Sequence, residues 1–154
     1  MFITTGSVSK NRKARFNYTI IETVEAGLVL TGSEVKSLRL GHANISESYA
    51  AEEKGALYLM NAHITTYKES SHFKHEENGP RKLLLHKKEM NKLLGYVARK
   101  GYTLIPLDLY FNERGIAKVC LGVAIGKTHA DKRETQKKRE WDREKQRIMT
   151  YKNK

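Results

Sequence analysis

Hydrophobic and polar residues alternate along most of this chain. From Phe16 to Glu22, the residues Phe16, Tyr18 and Ile20 share one side, the period-two pattern of a half-buried strand. Leu28–Leu30, bounded by glycines, predicts a second short strand. Ser33–Leu40 changes period: Val35, Leu38 and Arg39 fall at helical spacing, and Gly41 ends the helix. Ser48–Glu52 and Ala56–Ile64 flank Lys54-Gly55, a hairpin signal. Thr65–Pro80 is polar and aperiodic, a long surface loop. Within Lys82–Lys100, Met90, Leu93, Leu94 and Val97 stand at i, i+3, i+4 and i+7, and Gly101 is placed to cap a helix. Tyr102–Phe111 puts Ile105, Leu107, Leu109 and Phe111 on one side. After a turn at Asn112–Gly115, Ile116–Ile125 alternates through Ala117, Val119, Leu121, Val123 and Ile125.

About six short strands and one or two helices at this spacing predict a mainly β fold. The expectation is a small antiparallel barrel of the oligonucleotide-binding (OB) type with flanking helices.

The alternation stops after Gly126. Residues 127–154 contain only Ala130, Trp141, Ile148, Met149 and Tyr151 as apolar side chains, too few to offset the entropy of ordering a separate fold. Oppositely charged pairs are nevertheless set for a solvated helix: Glu134–Lys138 at i,i+4, and Glu140–Arg143, Asp142–Lys145 and Glu144–Arg147 at i,i+3. Trp141, Ile148 and Met149 fall on one face of that helix. Two domains follow as an expectation: a folded body over 1–126, and a basic tail over 127–154 that is disordered alone and helical against a partner.

Charge sharpens the division. The 154 residues carry 29 Lys+Arg against 17 Asp+Glu, net +12, with a pI near 9.8. Body and tail each contribute +6, the tail in under a quarter of the length. Such an excess points to a polyanion, nucleic acid or an anionic membrane surface. The tail has too few large apolar residues on one face to insert into a bilayer. No stretch approaches the roughly 18 uncharged residues of a membrane span, and the first residues lack the pattern of a signal peptide. A disulfide needs two cysteines and Cys120 is alone. The expectation is a cytoplasmic protein.

Candidate chemistry is sparse. His72 and His75 form H-x-x-H beside Glu76 and Glu77, with His63 upstream, but a second ligand pair of zinc-site spacing is missing. Cys120, between Val119 and Leu121, reads as a small wall residue of a strand. Phosphate-cradling glycine motifs and a nucleophile elbow are absent from the sequence. Neither a metal, a cofactor nor an enzymatic activity is expected. Eight tyrosines and four phenylalanines among basic residues, as in Asn11-Arg12-Lys13-Ala14-Arg15-Phe16, suit structured RNA, where cations meet phosphates and rings stack on unpaired bases.

Specific strings say more. Asn11-Arg12-Lys13-Ala14, Glu25-Ala26-Gly27-Leu28, Gly32-Ser33-Glu34-Val35-Lys36-Ser37-Leu38-Arg39 and Ala43-Asn44-Ile45-Ser46-Glu47-Ser48-Tyr49 follow in order. Arg81-Lys82-Leu83-Leu84-Leu85-His86, Gly101-Tyr102-Thr103-Leu104, Leu121-Gly122-Val123-Ala124 and Asp131-Lys132-Arg133-Glu134 complete the set. From about Ser9 to its end the chain resembles the SmpB family, the SsrA-binding proteins of bacterial trans-translation. The resemblance implies an OB-type barrel whose body binds the tRNA-like domain of transfer-messenger RNA (tmRNA). It implies a monomer that enters stalled ribosomes with that RNA, the tail lying as a helix in the empty message channel against small-subunit ribosomal RNA. Elongation factor Tu is an indirect partner, through the alanine-charged tmRNA.

Carried over position by position, Asn11, Glu25 and Leu84 match the family's RNA-contact motifs, and His86 closes the same run. Asn and Glu side chains suit reading of unpaired bases, whereas a leucine inside Leu83-Leu84-Leu85 is by itself more often core. Arg12, Lys36 and Arg39 are candidate phosphate contacts, or solvated charges. In the tail, Lys127, Asp131, Lys132 and Arg133 match the ribosome-contact motif, and Trp141, Ile148 and Met149 its later helical positions. Two positions depart from the family pattern, with Thr128 where a lysine is usual and Ala130 where a ring precedes Asp131. Composition alone leaves two other functions open, a general RNA-binding or ribosomal protein and an RNA-modifying enzyme or nuclease using the loop histidines.

Overall fold

The computed structural model describes residues 3–66, 76–126 and 137–147. Nine strands and three helices make up the body: β1 (Gly6–Lys10), α1 (Ala14–Asn17), β2 (Tyr18–Leu28), α2 (Gly32–Arg39), β3 (Ala43–Asn44), β4 (Tyr49–Glu53), β5 (Ala56–Met60), β6 (His63–Ile64), β7 (Arg81–Leu84), α3 (Lys87–Val97), β8 (Tyr102–Phe111) and β9 (Ala117–Gly126). Residues 137–147 form a further helix, exposed at every position. The histidine pair at 72 and 75 and the tail residues Lys127, Asp131, Lys132, Arg133, Ile148 and Met149 lie outside the described residues.

Seven strands form one antiparallel sheet in the order β1-β8-β4-β5-β7-β2-β9, and β9 also pairs with β8. The sheet therefore curls back on itself, as the alternation predicts. Its seam is uneven: β8 meets β4 through one residue pair, Ala50 and Leu104, while β1 occupies the same edge of β8 further along. The body is a curled antiparallel sheet rather than a strict barrel. β9 is its spine, paired along almost its whole length with β2 on one side and β8 on the other.

Local chemistry explains most of the elements. Lys54 and Gly55 both have positive φ, 51° and 80°, the left-handed pair that a two-residue turn needs to match strand twist. At the start of α2, Thr31 Oγ1 accepts from the Glu34 N–H at 3.3 Å and Glu34 Oε1 accepts from the Thr31 N–H at 2.9 Å, a capping box. Glu89 Oε1 accepts from the His86 N–H at 3.4 Å, so His86 opens α3.

The inward side of the sheet holds Leu57, Leu59, Leu83, Leu104, Val119 and Leu121, closed over by Leu38 of α2 and Leu93 of α3. Each such side chain contributes about 1.5–3 kcal/mol through burial. Lys92 pairs with Glu22, and the Tyr96 hydroxyl donates to the same carboxylate at 3.3 Å, which ties α3 to β2. A smaller cluster of Ala14, Ile105 and Ala124, with Tyr18, Ile20 and Leu107 beside it, lies under α1.

Arg81 is the polar keystone. It is only 4% exposed and pairs with the buried Glu34. Its guanidinium also donates to the carbonyls of Ala62 (2.6 Å), Glu76 (3.0 Å), Glu77 (3.1 Å) and Gly79 (3.1 Å). Burial raises the Glu34 carboxyl pKa, but the Thr31 N–H and the Arg81 guanidinium outweigh it, leaving the group below its ordinary value.

Six elements differ from expectation. Ala56–Ile64 is not one strand: β5 ends at Met60, Asn61 has a positive φ of 59°, and His63–Ile64 pair with β3 in a separate two-stranded sheet. Gly6–Lys10 is a strand that its short, polar alternation hides. Phe16 belongs to the turn of helix α1, and β2 begins at Tyr18. Leu28–Leu30 is no separate strand, because β2 runs through Gly27 to Leu28. Residues 82–84 are strand rather than helix, since α3 begins only at Lys87. In β8 a register shift between Pro106 and Asp108 splits the expected apolar side: Leu109 and Phe111 face the main core, Ile105 and Leu107 the cluster under α1.

Candidate nucleic-acid interface

Four neighbouring strands, β7, β2, β9 and β8, turn one face outward, and their register brings side chains together from distant parts of the sequence. Gly27 pairs with Leu84 on one side and Lys118 on the other; Lys118 pairs in turn with Tyr110, and Glu25 with Cys120. Gly27 is the floor of this patch. A Cβ there would stand 3.3 Å from Leu84 Cβ and 3.7 Å from Lys118 Nζ, so the glycine allows the leucine and the ammonium to approach across β2.

Leu84 corrects the core reading of the leucine run. Strand alternation buries Leu83 fully and leaves Leu84 51% exposed. Val29 is equally exposed, two residues beyond Gly27. Glu25 is exposed, and Tyr110 donates its phenolic hydrogen to Glu25 Oε2. Burial, reinforced by this bond to a carboxylate, pushes the Tyr110 phenol pKa upward, so it remains the donor. Among the described residues, Glu25 Oε1 has no hydrogen-bond donor, which leaves it as an acceptor on an exposed side chain. A carboxylate on the same outward face as the Lys118 ammonium and the exposed carbon of Leu84 is suited to polar and apolar contact with unpaired nucleotides.

Beside this patch the outward face continues through Cys120 and Asp108, with Ser7 Oγ donating to Asp108 Oδ1 at 2.6 Å. Burial first, then the nearby Asp108 carboxylate, pushes the Cys120 thiol pKa up, which disfavours a thiolate nucleophile. Among the described residues no group of three or more His, Cys, Asp or Glu is placed to hold a metal. His63 is engaged instead with Asn78 Oδ1 at 3.0 Å, beside Glu77.

The other residues marked by sequence lie elsewhere. Asn11 donates through Nδ2 to the Pro106 carbonyl at 3.1 Å and lines a separate groove under α1. Arg12 is exposed between β1 and α1, Lys36 and Arg39 are on the solvent side of α2, and His86 is exposed at the start of α3. Trp141, 62% exposed, lies on the 137–147 helix. Sequence reasoning missed Tyr110 and Lys118. Their signal was present: they stand symmetrically about the Asn112–Gly115 turn, on the polar side of two alternating strands.

Comparison with known proteins agrees with this architecture. Residues 8–151 match the family described as SmpB protein. The SsrA-binding protein of Nitrobacter hamburgensis is 60% identical over 142 residues, which are 92% of this chain and 90% of that one. The SsrA-binding protein of Rhodopseudomonas palustris (strain BisA53) is 58% identical over 145 residues, 94% and 92% of the two chains. A solved chain described under the words tmRNA-SmpB and the bacterial ribosome superposes with a TM-score of 0.67 at 48% identity, covering 85% of this chain and 93% of that one. By residues matched, identity and fold together, the chain belongs to the SmpB family.

Proposed function

We propose that this protein is the RNA-binding adaptor of trans-translation, which binds tmRNA and delivers it to stalled ribosomes for rescue and tagging of the nascent peptide. The observation that carries the reading is the outward patch of Glu25, Leu84, Tyr110 and Lys118 on the curled sheet of a chain 60% identical to an SsrA-binding protein. The body recognises the tRNA-like domain through that patch, with Arg12, Lys36 and Arg39 as phosphate contacts. The tail over 127–154 engages ribosomal RNA through Lys127, Asp131, Lys132, Arg133, Trp141, Ile148 and Met149. The protein catalyses nothing itself, works as a monomer in the cytoplasm, and meets elongation factor Tu through the charged tmRNA. No helix of the described residues is long and apolar enough to cross a membrane.

Binding to labelled tmRNA in the presence of excess elongator tRNA tests the reading. Selective retention of tmRNA is the expected result. Equal competition by bulk tRNA would support a general RNA-binding protein instead.

A further inference from the structure

Asn78 and Gly79 lie just before β7, next to the buried Arg81. Of the eight asparagines in the chain, Asn78 is the one followed by glycine. That successor matters chemically, because a residue without a side chain lets its backbone nitrogen approach the preceding side-chain amide.

The surroundings favour that approach. Asn78 is exposed in a turn whose Gly79 N–H donates to the Glu76 carbonyl at 3.5 Å, a long bond that holds it loosely. Asn78 Oδ1 lies 3.0 Å from His63 Nδ1, and Asn78 Nδ2 donates to Asn61 Oδ1 at 3.4 Å. An amide oxygen only accepts, so His63 Nδ1 carries the hydrogen. Its bond polarises the Asn78 side-chain carbonyl and stabilises negative charge that develops on Oδ1. Nε2 of the same ring is 3.4 Å from the Thr65 hydroxyl, which suits an acceptor at that nitrogen. The Glu76 carboxylate lies against Gly79: a Cβ on the glycine would stand 2.9 Å from Oε2.

We propose that Asn78 is a self-modifying site, converted spontaneously to isoaspartate and aspartate in the folded protein with the His63 hydrogen bond assisting. The Gly79 nitrogen, its proton taken by solvent hydroxide, bonds to Asn78 Cγ. The Cγ–Nδ2 bond breaks, and ammonia leaves with a proton from water. Water then opens the five-membered imide. Opening at the Cγ carbonyl gives aspartate, and opening at the backbone carbonyl gives isoaspartate, with one more atom in the main chain. The consequence falls on Arg81, whose guanidinium holds the Glu76 and Glu77 carbonyls before residue 78 and the Gly79 carbonyl after it. The extra atom of isoaspartate lies between these acceptors, so one rigid, planar group no longer reaches them all. Aspartate leaves the main chain unaltered.

The test is incubation of the full chain at neutral pH and body temperature, folded and in urea, followed by peptide mass spectrometry and labelling with an isoaspartyl methyltransferase. In the folded chain, the peptide across residues 78 and 79 should gain the mass of an amide-to-acid exchange, isoaspartate exceeding aspartate, while the other asparagines stay intact. His63→Phe and His63→Ala both remove the donor. Each should slow the folded-state conversion about fivefold, the worth of one hydrogen bond, and leave the rate in urea unchanged. The isoaspartyl fraction should melt a few degrees below the parent, whereas Asn78→Asp should melt with it. An Asn78 that stays intact in the folded chain, or folded His63 variants that convert as fast as the parent, would overturn the proposal. An isoaspartyl fraction as stable as the parent would overturn its consequence at Arg81.

Discussion

The hydroxyl of Tyr110 donates to the carboxylate of Glu25 from β8, with β9 lying between their strands. Phenol and carboxylate thus reach across an intervening strand to meet on the outward face, and the bond fixes which Glu25 oxygen remains for a ligand. Tyr110→Phe removes that orientation without emptying the space. It should weaken tmRNA binding roughly three- to tenfold, as expected for losing one hydrogen bond to a charged group. The apparent melting temperature should change little, which a thermal melt beside the binding isotherm would check.

Glu25→Gln makes the protein more positive, so pure charge attraction predicts tighter binding. Base or ribose recognition predicts the opposite, a loss of about tenfold. Lys118→Gln separates the two terms: a phosphate contact removed there lowers the slope of log affinity against log salt by about 1, whereas Glu25→Gln leaves the slope unchanged. Tighter binding by the Glu25 variant would refute its role as an acceptor.

Adjacent leucines should behave as opposites. Leu83→Ala opens a cavity in the main core and should cost about 2–5 kcal/mol of stability. Leu84→Ala removes an exposed side chain, so denaturant unfolding should shift by less than about 0.5 kcal/mol. RNA affinity should nevertheless fall. A large stability loss at Leu84 would show that its role is packing.

Arg81→Met strands the Glu34 carboxylate and frees four carbonyls at once, for an expected loss of about 3–5 kcal/mol. The pair also gives the protein a pH dependence. The folded pKa of Glu34 lies below its unfolded value of about 4.5, so the pair's stabilisation is complete above that value. It disappears as pH falls through the lower, folded pKa. Urea unfolding between pH 6 and about 2.5 should show a flatter acid limb in Glu34→Gln than in the parent. An unchanged limb would remove the pair as its source.

Deleting residues 127–154 takes away a net charge of +6 but none of the outward patch. tmRNA binding by the body should persist, with a weaker salt dependence, while peptide tagging on stalled ribosomes should be lost. Loss of tmRNA binding on deletion would refute the division between body and tail.

Much of the body is legible in the chain because its strands alternate strictly. β9 follows the pattern Ala117, Val119, Leu121, Val123, and the α3 face is readable from Met90, Leu93, Leu94 and Val97. What escapes has physical causes. β1 carries one apolar residue, Val8, and is specified by pairing with β8 rather than by its own pattern. The bulge at Pro106–Asp108 reverses the facing of every earlier residue in β8, which periodicity cannot reveal. Leu84 is ambiguous in a run of three leucines until Arg81 is seen buried, which sets the phase of the strand. Glu25 and Leu84 were visible through family resemblance, whereas Lys118 and Tyr110 required the pairing of two strands about their turn.

β9 has a consequence beyond the sheet it centres. From Lys118 to Gly126 it spans eight residue steps, about 26 Å of extended chain, with neighbours paired on both sides along that length. The strand is in effect a measuring rod, fixed at one end by the outward patch and at the other by the origin of the tail. Its length is set in units of about 3.3 Å, and only changes of two residues preserve which side chains face outward. Evolution can thus retune either end by substitution, but the spacing between them only by jumps.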